Sequence, residues 1–386
     1  MDIDHDLLLG FVAFAVLVQL LTIVLAFAKQ HSRGRGILGQ PKVTVLRPLC
    51  GLENNLEETL TSTFAADYPD FEVVLCVANP RDPVIALARR IMAAHPGVPS
   101  RLLIGEAAIS GNPKLNNIAK GWRAARAEWI LMADSNVLLP RDYIQRLLAE
   151  WREDTGLVTS PPAGIRPEGF AARLECAFLN TLQGRFQLAS AAMGNGFAQG
   201  KMLFWHRDLL ENAGGIEVLG REMAEDVAST KLVRAAGLKV RLCARLFEQP
   251  IGRRDFRTVW SRQLRWAKVR RLGFLGLFLP EVFAGGLVPI LAALVLAALG
   301  VLPMAAVALL VISWYGAELL LARASGWPAG PMDLLAFLGR DLLLLPLWCA
   351  AWAGNGFEWR GNQMTADEVQ GATEPGEVVQ AAPLKV

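Results

Sequence analysis

Apolar positions crowd the two ends of this chain and alternate with polar ones in between. Residues 7–28 form a near-continuous apolar run broken only by Gly10, Gln19 and Thr22. At ~1.5 Å rise per residue, about 22 helical residues reach roughly 33 Å, enough for one bilayer crossing. Asp2, Asp4 and Asp6 precede the run, and Lys29, Arg33 and Arg35 follow it. That asymmetry predicts an N-terminus outside and a following domain in the cytoplasm. The run is too long for a signal-peptide core and no small-residue cleavage site follows it, so residues 1–29 read as a retained anchor.

From residue 42 the period shortens. Apolar, β-branched stretches at 43–46, 71–77, 101–104 and 129–133 predict strands, and amphipathic stretches at 54–64, 84–94 and 115–125 predict helices. Further on, helices are expected at 168–186, 207–213 and 225–236, the last ended by Gly237, with strands at 201–205 and 239–242. Buried strands alternating with helices give an α/β fold, a mostly parallel sheet flanked by helices, over residues 41–252. Sites in such sheets lie at the carboxyl ends of the strands.

Residues 253–275 interleave arginines and a lysine with Phe256, Trp260, Trp266 and Phe274. This predicts an amphipathic helix lying in a membrane interface. Membrane segments follow over 276–356. The stretch 278–324, split at Gly300-Val301-Leu302-Pro303, reads as a hairpin with two crossings. The stretch 333–353 carries Arg340-Asp341 at its middle, so it is either a third C-terminal crossing or an interfacial helix. Residues 357–386 form a polar tail, expected to be disordered from Thr365.

The composition agrees with a soluble domain joined to a few membrane segments. Of 386 residues, 53% are hydrophobic and 19% charged, and the mean hydropathy is +0.32. Five scattered cysteines form no CxxC pair, which fits reduced thiols rather than a metal site. Four histidines are too few for a His-rich centre, so chemistry must rest on carboxylates. No nucleic-acid partner is expected, and the oligomeric state is open.

Several polar positions stand where that chemistry would sit. Asp134-Ser135-Asn136 ends a buried strand, and a carboxylate there suits Mg²⁺ or Mn²⁺ held against a diphosphate, or a simple strand-end turn or cap. Asp82 follows another strand and suits either a nucleotide base or a helix N-cap; Glu53 is a similar case. Lys114 and Asn116 open a helix, where an ammonium and a helix N-terminus suit phosphate, or where they are simply an ordinary polar loop. Glu225-Asp226 occupies a first helical turn, which suits a general base or plain dipole complementarity. Arg262 and Arg265 share a helix face beside Trp266.

In this order the positions resemble those of the ceramide glucosyltransferases, processive-synthase relatives in the inverting GT-A class. The resemblance covers about residues 43–272. It rests on Val45-Leu46-Arg47-Pro48-Leu49-Cys50-Gly51, Asp67-Tyr68-Pro69, Asp82-Pro83, Asn112-Pro113-Lys114, Asn116-Asn117, Asp134, Asp226 and Arg262-Gln263-Leu264-Arg265-Trp266. It implies a GT-A-like domain with one N-terminal and two or three C-terminal transmembrane helices. Asp82 would bind the nucleotide, Asp134 the metal and diphosphate, and Asp226 would act as base. Arg262, Arg265 and Trp266 would form the (Q/R)xxRW motif. The implied reaction moves glucose from UDP-glucose to the primary hydroxyl of ceramide with inversion, at the cytoplasmic face of a bacterial inner membrane. Two positions depart from the pattern. Gln183-Gly184 stands where animal members carry His-Pro ahead of Arg185, and Asn136 rather than a second acid closes the motif of Asp134. The alternatives are another UDP-sugar, another lipid such as a hopanoid or diacylglycerol, or a polysaccharide synthase. A synthase would normally need more crossings than the three or four read here.

Overall fold

The computed structural model of the chain describes residues 4–34, 36, 39–354, 356–359 and 362–364; the tail expected to be disordered from Thr365 lies outside them. The strands in chain order are β1 Val43–Leu49, β2 Phe71–Val77, β3 Ser100–Ile104, β4 Trp129–Ala133, β5 Thr155–Thr159, β6 Pro162–Glu168, β7 Met202–His206, β8 Lys239–Leu242, β9 Phe247–Arg253, β10 Phe357–Trp359 and β11 Asn362–Met364. The described residues fall into two compact units.

The first unit holds the described residues from His31 to Pro162, Met193–Pro250, and the antiparallel pair β10–β11. Its sheet has the order β3-β2-β1-β4-β7-β5-β8. β1 runs parallel to β2 and β4, β2 to β3 and β5 to β8, whereas β7 is antiparallel to β4 and β5. The expected mostly parallel sheet is therefore present. β1, β2 and β4 are buried along their whole length. Their alternate residues feed two cores, one on each face. Val45, Val73 and Leu131 pack with Leu60, Ile91 and Leu147, while Leu46, Val74 and Met132 pack with Ile118, Trp122 and Leu210. Side chains that alternate across a strand with helices on both faces produce this arrangement. Gly121 lets one helix settle on the sheet, because a Cβ there would lie 2.6 Å from Cys76 Sγ.

The second unit holds the described residues up to Gln30, Ala163–Ala192, and those from Ile251 to Gly354. Helices His5–Gln30, Met304–Ala324 and Pro331–Ala351 are each long and apolar enough to cross a membrane. The first arm of the expected hairpin differs from a simple crossing. Leu287–Ala298 alone would reach roughly 18 Å, short of a hydrocarbon core of about 30 Å. It meets the length only together with Leu275–Phe283, to which it is bent by 44°. The interface helix is Phe256–Gly273, capped by Asp255 Oδ1, which accepts from Thr258 N at 2.7 Å.

Arg340 and Asp341 are buried, but each has partners. Arg340 donates to Glu318 Oε2 at 2.9 Å and Thr181 Oγ1 at 2.6 Å. Asp341 accepts from Gly286 N at 2.7 Å and Tyr315 Oη at 3.0 Å. Arg185 donates to Gln19 and lies 3.5 Å from Glu318. Two arginines and two acids thus cancel where solvent is excluded, and helix Pro331–Ala351 tolerates charge at its middle for that reason.

The single helix expected at 168–186 is instead Phe170–Ala177, a π-helical stretch Phe178–Gly184, and Arg185–Ala192. Helix Tyr143–Glu150 and strands β5, β6 and β9 were not expected. Gly156 and Pro161-Pro162 make 155–168 look like a turn, and Pro250 interrupts β9.

Candidate active site

The carboxyl ends of β2, β1 and β4, which are neighbours in the sheet, bring three expected acids to one edge of the first unit. Asp82 follows β2, Glu53 follows β1 and Asp134 follows β4. Asp82 accepts from Gly51 N and Val84 N at 2.8 and 2.9 Å, so it ties two of these loops together and meets the first N–H of the next helix. Glu53 Oε2 accepts from Ser135 Oγ at 3.3 Å. Beneath them lies Arg47, fully buried, whose Nη2 donates to the carbonyls of Ser135, Val137 and Thr59. This guanidinium fixes the path of the chain after Asp134.

Asp134 is flanked by two ammonium groups. Lys114 Nζ lies 2.6 Å from Oδ1 and Lys201 Nζ 2.8 Å from Oδ2. Lys114 also reaches Glu225 Oε1 at 2.6 Å. The next residue, Asp226, accepts from Gly200 N and Val227 N, both at 2.9 Å. A side chain at Gly200 would put its Cβ 2.9 Å from Glu225 Oε1 and 3.4 Å from Asp226 Oδ2, so the carboxylates lie close against this glycine. Asn112 serves two purposes. Its Oδ1 caps the helix by accepting from Lys114 N and Leu115 N, and its Nδ2 donates to Glu225 Oε2 at 2.8 Å. Asn116 bonds back to the preceding loop instead. Its Oδ1 accepts from Ile109 N and Ser110 N, and its Nδ2 donates to Ser110 O, which together shape that loop.

The charges set the proton affinities. Burial alone would raise the Asp134 pKa, but Lys114 and Lys201 outweigh it and hold the carboxyl well below the usual range. Burial would lower Lys114, but Asp134 and Glu225 hold it above the ordinary lysine value. Asp226 goes the other way. Burial, and then the charge of Glu225, push it up to about 6, against the opposing pull of the Gly200 N–H and Lys114. An acid of that strength is ionised at neutral pH yet basic enough to accept a proton.

Among the described residues, no three histidines, cysteines or acids converge as a metal centre. The oxygens at Asp134 nevertheless suit a hard cation. Lys201 Nζ already sits between Asp134 Oδ2 and Asn136 Oδ1, at 2.8 and 2.9 Å. A site with one carboxylate fits an ion that takes its other ligands from substrate phosphate and water.

Arg262, Arg265 and Trp266 belong to the second unit, on helix Phe256–Gly273. Arg262 donates to the buried Glu175, which Arg254 also approaches at 3.3 Å, and its guanidinium stacks 5.2 Å from the Trp266 ring centre. Arg265 and Trp266 are half-buried.

Lys201 has no place among the site residues expected from the sequence, and Asn112 and Arg47 stand there only within longer motif runs. The signal for Lys201 was available, as a lysine at the start of an expected strand. Only the antiparallel pairing of β7 with β4 sets it against Asp134, with Ala133 opposite Met202.

The profile of Glycosyl transferase family 21 matches residues 7–371. Ceramide glucosyltransferase 1 of Caenorhabditis elegans is 27% identical over 262 residues, 67% of this chain and 56% of that protein. Ceramide glucosyltransferase of Komagataella phaffii is 39% identical over 99 residues, 25% of this chain and 19% of that protein. The chain spans a little over half the length of the C. elegans relatives it matches. Among solved structures, a mannosyltransferase of Pyrobaculum calidifontis, in complex with GDP-Man and Mn²⁺, superposes with a TM-score of 0.54 at 18% identity. The match covers 91% of this chain and 97% of that one, and it shows a GT-A-like fold.

Proposed function

Because this chain belongs to Glycosyl transferase family 21, we propose that it transfers glucose from UDP-glucose to the primary hydroxyl of ceramide, giving β-glucosylceramide with inversion. The ceramide glucosyltransferases among its relatives support this donor and acceptor. The observation that carries the reading is the cluster of Asp134, Lys114, Lys201, Glu225 and Asp226, which sets two ammonium groups and a base of raised pKa side by side.

In this mechanism Asp226 takes the proton of the acceptor hydroxyl as its oxygen attacks the anomeric carbon. The bond from that carbon to the diphosphate oxygen breaks, and the released UDP carries the electron pair away. Lys114 and Lys201 face the charge that develops on the diphosphate, and ammonium groups already held in place need no reorganisation as it forms. When bound, Mg²⁺ or Mn²⁺ neutralises diphosphate charge, with Asp134 as the protein ligand. The Mn²⁺ in the mannosyltransferase supports that requirement. Glu53 and Asp82 take the nucleotide side, with Asn116 shaping the loop that precedes the helix of Lys114. Arg262, Arg265 and Trp266 are assigned diphosphate and acceptor contacts from their motif.

The apolar helices support a membrane location, and the basic residues after Gln30 and within Phe256–Gly273 support a catalytic domain on its cytoplasmic face, in this reading that of a bacterial inner membrane. UDP release by the purified chain is the test. Release that depends on ceramide and is lost in Asp226→Asn supports the reading, whereas equal release without a lipid contradicts it.

A further inference from the structure

We propose that Lys201 is a built-in counter-cation of the Asp134 motif, so that the site takes a divalent ion only together with a nucleotide diphosphate. This rests on Asp134 as the metal ligand in the reading above, and it adds a residue that sets how ion and donor bind.

Asp134 and Asn136, the first and third positions of their motif, each turn one side-chain oxygen toward the same point. Lys201 Nζ stands there, 2.8 Å from Asp134 Oδ2 and 2.9 Å from Asn136 Oδ1. The lysine is placed by its backbone. Its carbonyl accepts from Asp134 N at 3.0 Å, and its own N–H donates to Gln199 Oε1 at 2.7 Å. Any change of partner therefore falls to the side chain alone. That side chain is 8% exposed and the side chain of Asp134 22%, so water screens the pair only weakly. A divalent ion drawn to these two oxygens meets an ammonium that already holds them. The two cations repel, so the ion binds only as Lys201 swings to another anion.

The charges of the cluster say where that anion comes from. At neutral pH Asp134, Glu225 and Asp226 are three negative groups against the ammonium groups of Lys114 and Lys201, which leaves one negative charge in excess. Arg47 beneath the motif and Glu53 beside Ser135 offset each other. A bare divalent ion would turn that excess into a positive one, in a place where charge is stable only when paired. An ion that arrives with the doubly charged diphosphate of a nucleotide sugar leaves the balance unchanged. The diphosphate also gives Lys201 its new partner, at the position where the transfer reading needs an ammonium.

The test is Mn²⁺ binding to the full chain in detergent, followed by electron paramagnetic resonance, with no lipid acceptor present. Saturating UDP should strengthen Mn²⁺ binding to the wild-type chain by about tenfold or more. Without nucleotide, Lys201→Met should bind Mn²⁺ about tenfold more tightly than the wild type, whereas Lys201→Arg, which keeps the charge, should not. Adding Asp134→Asn to Lys201→Met should remove the gain. A lysine with a merely structural role would lower the Tm on substitution and create no ion binding. An unchanged Mn²⁺ affinity in Lys201→Met overturns the proposal, as does a gain that survives Asp134→Asn. A wild-type chain that binds Mn²⁺ equally well with and without UDP overturns it whether or not the variants fold. Because ion binding needs no acceptor, a chain that behaves as proposed but does not glucosylate ceramide refutes the transfer reading alone.

Discussion

Asp226 and Asp134 are both acids beside lysines, yet their surroundings drive them apart. Asp134 is paired twice and stays ionised; Asp226 faces Glu225 and leans on backbone N–H groups. Asp226→Asn keeps the shape and the Gly200 contact but removes the base. We expect UDP affinity by calorimetry to stay within about threefold while turnover falls by about 10²-fold or more. Loss of UDP binding would refute this division of roles. Lys201→Met should weaken UDP binding about tenfold, because the proposed charge-assisted contact to the diphosphate and one partner of Asp134 would disappear together. The pH dependence has a definite sign. With Asp226 raised from 3.8 to about 6, the folded chain binds that proton more tightly than the unfolded one. The stability contributed by this group is therefore full below about pH 4 and lost as pH rises through about 6. Activity follows the opposite course, since the base must be free, and the acidic limb of kcat/KM should fall near pH 6. A profile flat from pH 5 to 8 would contradict the assignment.

At the scale of elements, β1 to β4, β7 and β8 were legible in the sequence, whereas β5, β6 and β9 were not. β1, β2 and β4 are continuous apolar stretches between clear turns, so their period and their acidic ends could be read directly. β5 and β9 carry Gly156 and Pro250, and only pairing within the sheet or ribbon makes strands of them. The same limit hid Lys201, whose position depends on β7 running antiparallel to β4. Arg340-Asp341 was readable as a problem but not as a solution, because its partners Glu318 and Thr181 lie far away in sequence. That network yields an element-scale prediction. Glu318→Ala leaves Arg185 and Arg340 buried with too little countercharge, and we expect a loss of about 3–5 kcal/mol, read as a lower Tm in detergent. An unchanged Tm would show that the charges are solvated. On the sheet side, Gly121→Ala drives a methyl into Cys76 and should cost about 1–3 kcal/mol.

For the whole molecule, the family is fixed by a profile that runs from the first apolar helix past the last. The soluble chemistry and the apolar helices therefore belong to one inherited design. The departures at Gln183 and Asn136 gain a physical setting. Gln183 orients the Gln263 carboxamide, and Asn136 joins Asp134 in holding Lys201. Neither residue is idle. The most direct measurement is mass spectrometry of lipids formed when the purified chain is given ceramide and UDP-glucose labelled with ¹³C in the sugar. The account predicts a labelled β-hexosylceramide that is absent in Asp226→Asn. Labelled glycolipid formed only on other added lipids, or label found only in free glucose, would contradict it.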